Sequence, residues 1–137
     1  MRIVSNAVSH TFARKLAAHD VTVAEWVILR EMYSQKGITA PSAVADITGL
    51  SRGAVSKLID RLLGKGLVTR AESVSDRRYQ DIQLTSKATK LIPKLAKIAD
   101  ENDASFFSHL SMNEKNLLLE ILIQLAEHHK LKINPID

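Results

Sequence analysis

Apolar residues Val4, Val8, Phe12 and Leu16 recur every four positions, the spacing of one helix face, and predict a first helix over about residues 3–17. Thr22 and Glu25 in the string TVAE supply the two side chains of a capping box. A second helix therefore opens there, with Trp26, Leu29 and Met32 or Tyr33 facing inward and Gly37 as its stop. A third start falls at Thr39, with Pro41 tolerated in the first turn and a short apolar face of Ala43, Val44 and Ile47. Gly49 closes it. After Leu50 alone, Ser51 caps a fourth helix whose inward face is Val55, Leu58, Ile59 and Leu62 and whose stop is Gly66.

Beyond Gly66 the apolar period changes from 3.6 to two, which predicts short strands over residues 67–70 and 81–84 joined by a polar connection. Thr85 caps a long fifth helix with Leu91, Leu95 and Ile98 as its stripe and a bend expected near Thr89 to Pro93. Ser111 and Glu114 form a second capping box, SMNE, that opens the last helix. There Leu117, Leu118, Leu119, Ile121, Leu122, Ile123 and Leu125 wrap more than one face, whereas a surface helix buries a single stripe. The surplus calls for a partner chain or a place at the centre of the chain's own core.

Two helices joined through so tight a glycine-containing turn make a helix-turn-helix, and a hairpin directly after it makes a winged helix. On the fourth helix Arg52, Ser56, Lys57 and Asp60 or Arg61 lie off the apolar face, and the first two turns, with Arg52, Ser56 and Lys57, are the part of such a helix that meets base edges. Arg52 and Lys57 suit guanine acceptors or phosphates, and Ser51 and Ser56 suit phosphate oxygens or bases. The hairpin tip carries Asp76, Arg77 and Arg78, narrow enough to place a guanidinium in a minor groove. Asp76 either holds an arginine in position or serves turn chemistry alone.

Charge sharpens this picture without settling it. The chain has 137 residues and a net charge of +4. Between Ser51 and Arg78 stand seven bases and three acids, so the rest of the chain nets to zero. That confinement fits a polyanion-binding surface, and a solvated basic face fits it equally. With no cysteine, disulfides and thiolate metal sites are excluded. His128 and His129 beside Glu127 diverge on a helix and complement its dipole rather than gather on a metal. No nucleophile with a base, phosphate-cradling loop or metal cluster indicates an enzyme, and no cofactor is expected. The N-terminal stretch lacks a continuous apolar core and no run could span a bilayer, so neither export nor membrane insertion is expected.

The string DRRYQDIQLTSKATKL, with LSRGAVSKLIDRLLGKGLV before it, resembles the signature of the MarR family of winged-helix transcription regulators. Ala88 departs from it, at a position where the family often has Gly, as does Asp81 on the strand leaving the wing. The resemblance implies one domain, mainly α with a small β-hairpin wing. Residues 22–91 would form the DNA-binding lobe, and residues 1–18 and 92–132 the dimerisation helices. It further implies a cytoplasmic homodimeric repressor on a pseudo-palindromic operator in double-stranded DNA, released by a small-molecule effector bound between lobe and dimer helices. The expected contacts are Ser51, Arg52, Gly53, Ser56, Lys57 and Arg61 on the recognition helix, Asp76, Arg77 and Arg78 on the wing, and Thr39 and Ser42 on the DNA backbone. The rival reading keeps the winged helix as a protein-interaction module without ligand sensing.

Overall fold

The computed structural model describes residues 1–72 and 80–131. The chain runs α1 (Arg2–Ala17), α2 (Val23–Ser34), β1 (Ile38–Thr39), α3 (Pro41–Thr48), α4 (Arg52–Gly64), β2 (Val68–Glu72), β3 (Gln80–Leu84), α5 (Ser86–Phe106) and α6 (Met112–His128). This is the mainly helical winged-helix architecture that the sequence pattern implies.

Side-chain caps set the helix starts. Thr22 Oγ1 accepts from the Glu25 N–H at 3.2 Å while Glu25 Oε2 accepts from the Thr22 N–H at 3.3 Å, completing the first capping box. Ser51, Thr85 and Ser111 cap α4, α5 and α6 through the N–H groups of Ala54, Ala88 and Glu114. Each such bond satisfies a donor that the helix leaves free, worth about 1 kcal/mol. At the other end of α2, Lys36 and Gly37 both take positive φ, and the Gly37 N–H donates to Met32 O at 2.7 Å.

The structure corrects the expectation at Thr39. Ala40, not Thr39, is the N-cap of α3, it makes no side-chain cap bond, and Pro41 begins the helix. A residue before proline is driven to extended backbone, and Ala40 has ψ 144°. Thr39 sits in β1 instead, antiparallel to β3 and opposite Ile82. The sheet order is β1-β3-β2, with the hairpin ladder running from Val68 opposite Leu84 to Glu72 opposite Gln80. Asp81 occupies a regular place in that ladder opposite Ala71, so the acid does not divert the strand.

The core lies where α2, α3, α4, the sheet and the start of α5 converge. Trp26, Leu29 and Met32 face it from α2 and Val55, Leu58, Ile59 and Leu62 from α4. Tyr33 points outward, and on α3 Val44 and Ala45 are buried while Ala43 and Ile47 are half-buried. On α5 the buried line is Ala88, Ile92, Leu95 and Asn102, with Leu91 and Ile98 packed along its edge. Ala88 is completely buried, so the departure from glycine fills space in the core. The helix continues through Pro93 without interruption. Buried Asn102 donates from Nδ2 to Val8 O at 3.3 Å, tying α5 to α1.

Two surfaces are left uncovered. α6 buries no residue, and its seven leucine and isoleucine side chains between Leu117 and Leu125 are 37–57% exposed. At the start of α1, Ile3 and Val4 are exposed too, so only the later part of that helix, through Phe12 and Leu16, packs on the core.

Candidate nucleic-acid interface

Three residues, Gly49, Leu50 and Ser51, join α3 to α4. Gly49 takes φ 72° and its N–H donates to Ala45 O, ending α3 in the left-handed conformation that glycine adopts without a Cβ penalty. Thr48 Oγ1 donates to Val44 O at 2.7 Å and accepts from the Leu50 N–H at 3.4 Å, which fixes the turn from inside. The α4 start is then set by the Ser51 cap.

At 100° per residue, the buried positions Val55, Leu58, Ile59 and Leu62 hold one side of α4, and Arg52, Gly53, Ser56, Lys57, Asp60 and Arg61 fall on the other. All six are exposed. The basic stretch divides into two kinds of residue. Arg70 reaches back from β2 to Asp60 at 2.9 Å. Lys65, at the α4 C-cap, donates to Asp20 O at 2.6 Å and to buried Glu25 Oε2 at 2.8 Å. Arg52, Lys57 and Arg61 have no ion-pair partner among the described residues. Among the described residues of this stretch, the bases without an ion-pair partner are thus Arg52, Lys57 and Arg61, all on the outward face of α4.

The far end of α4 is anchored firmly. Besides the Lys65 contacts, Thr85 Oγ1 donates to Gly66 O at 2.7 Å and Lys87 Nζ to Lys65 O at 2.9 Å. These bonds join the turn after α4 to α2 and to the start of α5, giving the outward face a fixed orientation relative to the rest of the lobe. Sequence reasoning missed this latch, because its partners lie 22 to 45 residues from Lys65.

Of the other expected contacts, Ser42 is exposed in the first turn of α3, whereas half-buried Thr39 is a sheet residue. Asp76, Arg77 and Arg78 lie outside the described residues. Among the described residues no group of His, Cys, Asp or Glu could hold a metal ion, and no helix is long and apolar enough to cross a membrane.

A groove of about 750 Å³ is lined by α1, α2, the end of α3 and α5. Val8, Phe12, Trp26, Ile47, Ile92 and Ala96 form its apolar lining. Phe12 and Trp26 meet edge-on, with ring centroids 6.3 Å apart. Trp26 is therefore both a core residue and a wall of this groove.

Residues 19–78 match the family model described as MarR family. Over that segment the chain is similar to the MarR family. Its members are transcription regulators, not enzymes. Three solved structures place the fold. The DNA complex of MepR from S. aureus is 25% identical with a TM-score of 0.77, covering 93% of this chain and 91% of that one. A mutant MarR from E. coli complexed with operator DNA is 19% identical with a TM-score of 0.81, covering 90% and 89%. The organohalide-sensing regulator RdhR in its 2,4-dichlorophenol-bound form is 20% identical with a TM-score of 0.83, covering 93% and 75%. The chain thus shares their fold along most of its length.

Proposed function

We propose that the chain works in the cytoplasm as a homodimeric, sequence-specific repressor that reads a pseudo-palindromic operator with α4 and is released by a small molecule. The observation that carries this reading is the outward face of α4, where Arg52, Lys57 and Arg61 are exposed and unpaired among the described residues while Lys65 and Arg70 are bound internally. Ser51, Gly53 and Ser56 complete that face in its first two turns, the part of a recognition helix nearest base edges. Ser42 contacts the DNA backbone from α3. Asp76, Arg77 and Arg78 form the wing contact, with Arg78 in the minor groove and Arg77 on phosphate. Thr39, half-buried in β1, is the second backbone contact.

Residues 22–91 act as the DNA-binding lobe, and the exposed apolar faces of α1 and α6 supply the dimer seam. The groove between them is the effector site, because a ligand there touches the dimer helices and the lobe together and can change the spacing of the two α4 helices. Two relatives support this part of the reading, one complexed with operator DNA and one solved with 2,4-dichlorophenol.

The test is duplex binding across a salt series. Affinity should fall steeply with salt, since neutralised phosphates release counterions. Lys57→Ala or Arg52→Ala should either cost about 1–3 kcal/mol with relaxed preference at one base pair, or lower the salt slope by about one for a phosphate contact. Unchanged binding in both variants, with folding intact, removes α4 from the reading, whereas no salt-dependent duplex binding at all leaves the protein-interaction module.

A further inference from the structure

The charged lining of the groove is uneven. Arg30, Glu31, Asp100 and Asp103 reach it, which is three acids against one base. Arg30 lies 3.7 Å from Glu31 Oε1, so the single base is already matched on its own helix. Asp100 and Asp103, one turn apart on α5, are exposed at the rim and have no ion-pair partner among the described residues. Phe12, Trp26 and Tyr33 line the same groove, Phe12 and Trp26 meeting edge-on.

From this arrangement, and resting on the assignment of the groove as the effector site, we propose that the effector is an aromatic organic cation. Its rings pack against Phe12 and Trp26, and its positive charge sits beside Asp100 and Asp103. Aromatic faces attract a cation through the ring quadrupole, and two neighbouring carboxylates attract it through direct charge. An anionic ligand of the same shape gains the apolar contact but meets two uncompensated negative charges. The volume of about 750 Å³ admits a ligand of several rings. Partial burial, followed by the neighbouring Asp100 charge, raises the Asp103 carboxyl above its ordinary value. A bound cation would relieve that strain on the charged form.

The experiment uses two ions of nearly identical shape and opposite charge, tetraphenylphosphonium and tetraphenylborate. Trp26, the chain's one tryptophan, reports binding in the groove through its fluorescence. Tetraphenylphosphonium should quench it saturably and release the protein from duplex DNA. The double variant Asp100→Asn with Asp103→Asn, near-isosteric and checked for folding by circular dichroism, should bind it about ten-fold more weakly. Glu101→Gln, which removes an acid paired with Lys97 elsewhere on α5, should leave its affinity unchanged. Equal or tighter binding of tetraphenylborate overturns the cation assignment and keeps the groove as an effector site. An equal loss in Glu101→Gln replaces a built site with the general field of the helix, and overturns the assignment as well. No Trp26 response to either ion, with no release of DNA, defeats the effector reading of the groove itself.

Discussion

Gly53 shows how one residue can be costly to the fold and useful to the surface. It sits in the first turn of α4, and a Cβ added there would meet no atom within 4 Å. Among the described residues nothing requires glycine at this place, and glycine inside a helix costs about 0.5–1 kcal/mol relative to alanine. Gly53→Ala should therefore raise the unfolding free energy by about that amount in a urea titration. If DNA approaches this turn closely, the same variant should bind its operator less tightly. Stabilisation with unchanged affinity would place the DNA elsewhere on the helix. Gly49 is the contrasting case: its φ of 72° is a conformation that a side chain resists, so there the requirement comes from the fold.

The elements differ in how openly the sequence declared them. α4 was fully legible, because a cap, a four-residue apolar face and a glycine stop agree, and Val55, Leu58, Ile59 and Leu62 are the residues buried. β1 was not, since two residues carry no alternation and exist as a strand only when β3 returns beside them. The buried line of α5 was half legible. Asn102 gave no apolar signal, yet it is buried because its amide reaches Val8 O on α1. The groove was invisible, as its walls come from helices far apart in sequence. α6 posed a choice between a partner chain and an internal core, and in the described chain it buries no residue. A charge placed in that face, as in Leu122→Glu, should dissociate the dimer and abolish operator binding together, since an unpaired buried charge is costly. Sedimentation of the wild-type chain as a monomer would contradict the dimer seam directly.

At the scale of the whole molecule, the fold divides its charges and its apolar surface between separate tasks. Lys65 and Arg70 hold the turn and the hairpin in place, so that Arg52, Lys57 and Arg61 are presented on a rigid face. Exposed leucine and isoleucine side chains gather on α6, and Ile3 and Val4 add to them at the start of α1. Two such chains joined there would carry two α4 helices. Helices about 34–36 Å apart reach successive major grooves on one side of a duplex. We propose that α4 reads sequence as half of a symmetric pair. Its most direct test is the selection of bound sequences from random duplex DNA by the full chain. An inverted repeat with half-site centres about 10–10.5 base pairs apart should be enriched, and lost on substitution of Arg52 and Lys57 together. Recovery of sequences with no shared motif, or of a motif that the double substitution leaves intact, would contradict it.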